Sequence, residues 1–321
     1  MTKAIREAYG EALVKYGKDD PRVVVLDADV SSSTKSGMFA AACPQRFINC
    51  GIAENAMMGM AAGLAAGGKI PFVNAFGVFL ETIGALVTRT YLSYSHLNVK
   101  LMGGYAGLSA GYDGSTHHCL EDLAIMRAMP GLTVLVASDE RLTDWLVKTA
   151  IEYDGPMYIR LSREASPVCH DDRARFALGK GIVVRDGGDG TIIACGRLVS
   201  EALTAAQRLS ADGIEVRVID MFCIKPLDTE LVEAAARETG AIVTAEEHNT
   251  IGGLGSAVAE AIAGCDVSAP VEMVGMKDRH AESGPYDELL RLNGLDAAAI
   301  EKAVRRALSR KSARSAEPTR P

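Results

Sequence analysis

Short apolar runs alternate with longer helical patterns along the whole chain. In the first half, the runs typical of buried strands lie at residues 23–26, 70–74, 99–102, 133–137 and 157–161. A second series has strand patterns at residues 182–185, 191–194, 216–219, 242–245 and 271–274, with helical patterns at 199–209, 229–238 and 254–263. Strands separated by helices in this way are typical of a parallel α/β fold. The sequence therefore predicts two α/β domains.

The segment between the two series has no apolar period. Across residues 166–178, Pro, Asp and Arg replace the apolar positions, which favours a linker. We place a first domain at residues 1–168 and a second at residues 179–310. The polar, Pro-containing residues 311–321 follow a helix that we expect to end near Leu308, and they are predicted to form a disordered tail.

One acidic residue begins a long helical pattern of small and apolar residues. Glu54 follows a short predicted strand, and no other charged residue occurs at positions 55–68. A carboxyl group is costly to bury in its ionised form, whereas a protonated one is a hydrogen-bond donor. The alternative is a solvated first-turn acid that complements the helix dipole. Gly59 and Gly63 on the same helix would permit close packing, either at a subunit interface or within the core.

Two aromatic residues and a glycine-rich loop follow this helix. Phe76 and Phe79 come just after a predicted strand and either pack in the core or form an apolar wall for a flat ring beside Glu54. The later loop GGYAGLSAGYDGSTHHCLED contains candidates for substrate contact. His117 could shuttle a proton and Asp113 could accept a hydrogen bond from a hydroxyl group, or both could serve only the shape of the loop.

Arg6, Ser33 and Arg163 form a third candidate group, because each lies near the end of a predicted element. Two guanidinium groups and a hydroxyl group suit a phosphate monoester, although a surface Arg is usually only solvated. The turn at residues 252–255 is expected to start a helix, with an anion site as the less favoured alternative. The acidic pair before it, Glu246 and Glu247, is expected to be solvated at a strand end.

Composition restricts the possible partners of the chain. The 321 residues carry a formal net charge of -7, which argues against a general surface for nucleic acids or anionic membranes. The seven cysteines include no CxxC pair, so neither a zinc site nor a disulfide scaffold is expected. The first residues show no apolar signal core, and residues 56–68 are too short for a membrane span. We therefore expect a cytoplasmic protein and no metal ligands in this chain.

Six segments in order resemble the C-terminal half of a transketolase, which comprises a pyrimidine-binding domain and a transketolase C-terminal domain. They are REAYGEAL with Arg6, VVVLDADVSSST with Ser33, RFINCGIAENAMMGMAAGLA with Glu54, the segment with Phe76 and Phe79, AGLSAGYDGSTHH with Asp113 and His117, and DGPMYIRLSR with Arg163. The resemblance covers essentially the whole chain.

The resemblance implies a thiamine diphosphate-dependent transferase. Glu54 would hydrogen-bond N1′ of the aminopyrimidine ring, and Phe76 and Phe79 would pack on that ring. The implied reaction transfers a two-carbon ketol (glycolaldehyde) unit from a ketose phosphate to an aldose phosphate. In the implied substrate site, His117 would contact substrate hydroxyl groups or assist proton transfer, and Asp113 would sense the hydroxyl beside the reacting carbonyl. The distal phosphate would be held by Arg6, Ser33 and Arg163.

Three positions depart from the family pattern. Tyr105 stands where a substrate-facing His is common, Tyr112 where an acid commonly precedes the Asp, and Thr82 where a third ring-side aromatic is frequent. These changes leave the identity of the sugars open.

The resemblance also implies a partner subunit. The family's combination of a GDG motif with a following Asn, which binds Mg²⁺ and the diphosphate, has no match here, because the GDG tripeptide at residues 188–190 is followed by no Asn before Asn249. We therefore expect a heterotetramer, α2β2, in which an N-terminal-half subunit holds both groups. Two alternatives are the β subunit of a thiamine-dependent 2-oxo acid dehydrogenase and a non-catalytic stabilising partner.

Overall fold

The computed structural model describes residues 2–316 and has two β-sheets surrounded by helices. The strands, in chain order, are β1 (Val23–Asp27), β2 (Phe47–Asn49), β3 (Ile70–Phe76), β4 (Lys100–Gly104), β5 (Thr133–Val136), β6 (Met157–Arg160), β7 (Ile182–Arg185), β8 (Gly190–Ala194), β9 (Val216–Asp220), β10 (Cys223–Lys225), β11 (Ile242–Asn249) and β12 (Val271–Met276). The α-helices are α1 (Ile5–Gly17), α2 (Ser31–Thr34), α3 (Gly37–Ala42), α4 (Glu54–Ala66), α5 (Gly77–Thr82), α6 (Ala85–Val87), α7 (Asp122–Ala128), α8 (Glu140–Glu152), α9 (Leu198–Ala211), α10 (Thr229–Thr239), α11 (Leu254–Ala263), α12 (Tyr286–Leu292) and α13 (Ala297–Ala316).

Shorter turns complete the chain between these elements. A π-helical turn, Thr88–Ser93, follows α6, and 3₁₀ turns occur at Pro44–Arg46 and Gly111–Asp113. Among the residues that the structure describes, no helix is long and apolar enough to cross a membrane.

The first sheet has seven strands in the order β10-β5-β6-β4-β3-β1-β2. The six strands from the first half of the chain are parallel, and β10 pairs with β5 in the antiparallel direction. Every residue of β1, β3, β4, β5 and β6 is buried, which explains their continuous apolar runs. The second sheet has five strands in the order β12-β11-β8-β9-β7, and only β7 is antiparallel to its neighbour.

The predicted fold class, two α/β domains, is confirmed. Ten predicted strands occur within a few residues of their expected positions. The strand β10 was not predicted, because three residues from the second half of the chain form it as an edge of the first sheet. One apolar core cluster joins side chains of both halves, including Leu123 and Met126 with Ile193 and Cys195.

The last helix is longer than expected. The α13 helix continues to Ala316 instead of ending near Leu308, and residues 317–321 of the predicted tail lie outside the described residues. Basic side chains near its end explain the extension, because Arg306 and Arg310 both donate to the Glu272 carboxylate on β12.

Candidate active site

The candidate site residues follow the carboxyl ends of adjacent parallel strands. The strands β6, β4, β3, β1 and β2 are consecutive neighbours in the first sheet. At or just after the carboxyl end of each strand lies either a predicted site residue or Tyr105, which differs from the family pattern. They are Arg163 after β6, Tyr105 after β4, Phe76 at the end of β3, Ser33 after β1 and Glu54 after β2. Because ligands of parallel sheets bind outside this edge, the topology brings these residues to one region.

An aromatic cluster forms the floor of this region. The rings of Phe76 and Phe79 are nearly parallel, with centroids 6.1 Å apart and an interplanar angle of 19°. Tyr105 stacks on Phe76 with centroids 4.1 Å apart. The His117 ring meets Phe76 and Phe79 edge-on, at 6.0 and 5.5 Å. The structure thus brings together two predicted ring-binding residues and the predicted proton shuttle.

Two guanidinium groups flank the Tyr105 ring. Arg6 Cζ lies 5.8 Å and Arg163 Cζ 5.2 Å from its centroid, within the range of cation–π attraction. Arg6 also donates a hydrogen bond of 3.1 Å to the Tyr105 hydroxyl oxygen. Tyr105 has a φ of 56°, a left-handed conformation that is uncommon for a bulky residue. The position that departs from the family pattern therefore lies inside the site and contacts three of its members.

Both arginines are fixed by main-chain oxygens and keep an unused donor. Arg6 donates to the carbonyl oxygen of Ser33 at 3.2 Å, and Arg163 donates to that of Ala110 at 3.5 Å. The Nε atoms of both are buried and have no hydrogen-bond partner. The nearest carboxylate to Arg163 is that of Glu164, at 3.6 Å. Two guanidinium groups that keep a buried Nε donor without a hydrogen-bond partner, beside a hydroxyl-bearing turn, suit an anionic substrate group.

The turn that carries Ser33 is anchored by an acid that sequence reasoning missed. Asp27 is fully buried, and its carboxylate accepts hydrogen bonds from the Val30 amide and from the Thr34 and Ser36 hydroxyl groups. Burial raises the pKa of Asp27. Its position at the end of β1, followed by several hydroxyl residues in the next turn, is a signal that could have indicated this role.

Glu54 begins α4 as predicted and is buried, with 8% of its surface exposed. No group among residues 2–316 forms a hydrogen bond with its carboxyl group. Most of the residue is therefore buried, while its carboxyl group is free to bind another molecule. The alternative interpretation, a first-turn acid exposed to solvent, does not agree with the burial of Glu54.

Asp113, Tyr112 and Thr82 are exposed to solvent. Asp113 lies in the exposed 3₁₀ turn of the same loop as His117, and its neighbour Tyr112 is 72% exposed. Thr82 is also exposed, and its hydroxyl donates to the carbonyl oxygen of Val78 within α5. Neither Tyr112 nor Thr82 joins the aromatic cluster.

Comparison with known proteins identifies the family. The family described as "Transketolase, pyrimidine binding domain" matches residues 1–168, and "Transketolase, C-terminal domain" matches residues 179–300. The chain belongs to the transketolase family. The predicted resemblance is therefore confirmed.

Transketolase subunits are similar to this chain over nearly its whole length. A protein named 6-deoxy-6-sulfo-D-fructose transketolase subunit SqwH, from Clostridium sp. (strain MSTE9), is 40% identical over 97% of this chain and 96% of its own length. A subunit of an apulose-4-phosphate transketolase from Phocaeicola vulgatus is 39% identical over 93% and 96% of the two chains. A solved structure described as "Split gene transketolase, inactive beta4 tetramer" is 46% identical, covers 97% of this chain and 100% of its own, and has a TM-score of 0.88.

The residues of the site fit the cofactor that membership of the transketolase family implies. Thiamine diphosphate carries a flat aminopyrimidine ring that needs an apolar face and an acid at its edge. The near-parallel rings of Phe76 and Phe79 offer the face, and the unpartnered Glu54 carboxyl offers the acid. Neither feature requires the diphosphate end of the cofactor to contact this chain.

A buried ionic network links this transketolase site to the second domain. Arg160, at the end of β6, donates to Asp122 at 2.7 Å and to the main-chain oxygen of Glu247 at 2.8 Å. Attraction to Arg160 outweighs burial and keeps the pKa of Asp122 below its usual value. Burial raises the pKa of the nearby Glu81 to about 9. Arg160 and Asp122 thus support the contact between the domains, and because Arg160 already neutralises Asp122, we do not assign Glu81, Cys119 and Asp122 to a metal site.

The expectation that Glu246 and Glu247 are solvated was wrong. Glu246 is fully buried, and its carboxylate accepts hydrogen bonds from the Leu254 and Gly255 amides at 2.6 and 2.7 Å. These amides belong to the start of α11, so the anion at this helix terminus is the chain's own side chain. Glu247 and His248 are buried as well.

Proposed function

We propose that the chain is the C-terminal-half subunit of a split transketolase that depends on thiamine diphosphate. Assembled with an N-terminal-half subunit, it transfers a two-carbon ketol unit from a ketose phosphate to an aldose phosphate. The observation that carries this proposal is the buried, unpartnered Glu54 carboxyl at the same strand edge as the Phe76–Phe79 face. The buried carboxyl would donate a hydrogen bond to N1′ of the aminopyrimidine ring.

Each remaining site residue has a distinct role in this proposal. Bound thiamine diphosphate supplies stabilisation of a carbanion at the reacting carbon. His117, whose ring edge meets both Phe rings, moves a proton at a substrate hydroxyl group. Asp113 accepts a hydrogen bond from the hydroxyl beside the carbonyl. Arg6, Ser33 and Arg163 bind the distal anionic group, so that orientation and affinity come from a part of the substrate that does not react.

The substrate class follows from Arg6 and Arg163, whose buried Nε donors have no hydrogen-bond partner. The relatives are named for a 6-sulfo sugar and a 4-phosphate sugar, and both names specify an anionic group. A planar guanidinium fork matches sulfonate and phosphate oxygens alike. We therefore propose that the donor and the acceptor are both sugars with a terminal anionic group.

We also propose that activity requires the partner. The N-terminal-half subunit would hold Mg²⁺ and the diphosphate in an α2β2 assembly in the cytoplasm. A relative described as an inactive beta4 tetramer supports the need for a second kind of subunit. Exposed apolar side chains just before α4, on α4 and on residues 83–94 support a role for this region in subunit contact, and they are Ile52, Met60, Ile83, Leu86, Tyr91 and Tyr94.

The decisive experiment replaces Glu54 in the assembled enzyme. With both subunits, thiamine diphosphate and Mg²⁺, glycolaldehyde transfer from xylulose 5-phosphate to an aldose phosphate is measured as kcat. We expect Glu54→Ala to lower kcat at least about 100-fold, because acid–base assistance is lost. The matched control is Glu230→Ala, which removes another first-turn acid that is exposed and far from the site. Unaltered turnover in Glu54→Ala would reject the assignment.

A further inference from the structure

The glycine-rich loop that carries Asp113 and His117, residues 107–120, is held by the second domain at its beginning. The Leu108 amide donates a hydrogen bond of 2.6 Å to Glu247 Oε1, on β11. Gly107 has a φ of 65°, and a side chain there would collide with the Glu247 carboxyl group. The loop therefore approaches β11 more closely than a residue with a Cβ atom would allow.

The acid at this contact is itself fixed. The second carboxyl oxygen of Glu247 accepts a hydrogen bond of 2.8 Å from the Tyr286 hydroxyl, on α12. Its main-chain oxygen accepts from Arg160. Glu247 is 3% exposed, so the contact is shielded from water. A carboxylate held at both oxygens is a rigid anchor for the loop amide.

The middle of the loop is tied to a second segment of the same domain, residues 281–284. Ser115 Oγ donates to the carbonyl oxygen of Ala281 at 2.6 Å, and Ser283 Oγ donates to that of Tyr112 at 2.7 Å. The Gly284 amide donates to the carbonyl oxygen of Gly111 at 3.4 Å. These bonds bracket Asp113 on both sides in sequence.

The end of the loop is also paired with the second domain. The Asn249 amide, at the end of β11, donates to the carbonyl oxygen of Leu120 at 2.9 Å. Within the loop, the regular structure is the short turn Gly111–Asp113 and an antiparallel bridge that pairs Gly107 with Cys119 at its two ends. Its exposed middle, including Tyr112 and Asp113, therefore depends on neighbouring segments for order.

We propose that the second domain positions the 107–120 loop, and that Glu247, Ser115 and Ser283 are positioning residues for Asp113 and His117. Among the described residues, none of the three hydrogen-bonds to the aromatic cluster, to Arg6 or to Arg163, so they act through the loop. This inference rests on the proposed ketol transfer only for its kinetic readout. It gives the second domain a role in the active site in addition to packing.

The test uses the full chain with the double substitution Ser115→Ala and Ser283→Ala. Both serines are exposed, so the fold is expected to persist with an unchanged thermal midpoint. Hydrogen–deuterium exchange of the isolated chain should become about tenfold faster at residues 111–117, because two side-chain hydrogen bonds are lost. The matched control is Ser312→Ala, which removes a hydroxyl that bonds within α13 at 3.1 Å and should leave the loop unaffected.

Kinetics of the assembled enzyme complete the test. We expect kcat/KM for ketol transfer to fall about tenfold in the double variant, while the affinity for thiamine diphosphate stays unchanged. Unchanged exchange at residues 111–117 would overturn the docking of the loop. Faster exchange with unchanged kcat/KM would overturn the positioning role. If the unmodified assembly transfers no ketol unit, the proposed function fails, and the exchange experiment still decides whether the loop is docked.

Discussion

Two residues, Arg6 and Arg163, give the site its positive charge. Each has a buried Nε atom without a hydrogen-bond partner; Arg6 forms no ion pair among the described residues, and Arg163 Nε lies 3.6 Å from the Glu164 carboxylate. Their predicted grouping with Ser33 agrees with the observed contact of Arg6 with the Ser33 carbonyl oxygen. The sequence could not show that Tyr105 lies between them, because the Arg6–Tyr105 contact joins residues 99 positions apart.

Replacing Arg163 by Ala should separate anion binding from catalysis. We expect KM for a phosphorylated ketose to rise about 10- to 100-fold, because one charge-assisted contact is lost, while unphosphorylated ketoses are affected little. Steady-state kinetics of the assembled enzyme with a matched pair of sugars measure this difference. Arg185→Ala is the control, since Arg185 pairs with Glu215 in the second domain. An equal loss on both sugars would exclude the proposed phosphate contact.

At the scale of elements, the helix α4 shows both what the sequence predicted and what it left open. Its start at Glu54 was predicted from the change to small, uncharged residues. Whether Gly59 and Gly63 serve core packing or a subunit contact could not be predicted. The structure excludes close packing within this chain as their role, because a Cβ atom at either glycine would meet nothing within 4 Å. The glycines therefore lie on an open face of the chain.

Introducing a charge on this open face should weaken assembly without unfolding the chain. Met60 is 41% exposed on α4, and Met60→Glu would place a carboxylate in the proposed subunit contact. We expect association to weaken at least about tenfold, because an unpaired charge is costly in an apolar interface. Analytical ultracentrifugation measures association, and circular dichroism checks the fold. Leu292→Glu, at another exposed apolar residue in the second domain, should leave association unchanged. If Met60→Glu and the unmodified chain associate equally strongly, the subunit contact lies elsewhere.

The exposure of the acids at the end of β11 was wrongly predicted, because a sequence pattern does not show which ends of strands and helices meet. A Glu at a strand end is usually solvated, and sequence alone does not show where unpaired amides will lie. Glu246 is buried because the start of α11 presents two amides to it. Burial raises the pKa of Glu246 to about 7 in spite of these hydrogen bonds. Periodic patterns therefore predicted the strand and the helix but not the contact between their ends.

At the scale of the whole molecule, periodicity predicted the two series of strands but not the connection between the two halves. The ladder of β5 with β10 and the contacts of the 107–120 loop all join residues distant in sequence. The linker gave no helical or strand pattern, yet it holds a buried residue, His170. His170 Nδ1 lies 3.0 Å from Asp139 at the start of α8, and Nε2 lies 3.2 Å from Asp220 at the end of β9.

This buried histidine should make stability depend on alkaline pH. Burial lowers the pKa of His170, but the hydrogen bond to Asp139 and the adjacent Asp220 carboxylate outweigh it and raise the pKa to about 9. Because the folded pKa exceeds the unfolded one, the stabilisation is complete below about pH 6.5 and is lost as the pH rises through the folded pKa. A shift of this size corresponds to about 3 kcal/mol. Urea unfolding at fixed protein concentration between about pH 6.5 and 9.5 should therefore show a midpoint that falls as the pH rises.

His170→Asn should be less stable at the lower end of this pH range and should largely remove the dependence of the urea midpoint on pH. His280→Asn, at an exposed histidine, should retain that dependence. An equal slope in His170→Asn would show that another group titrates.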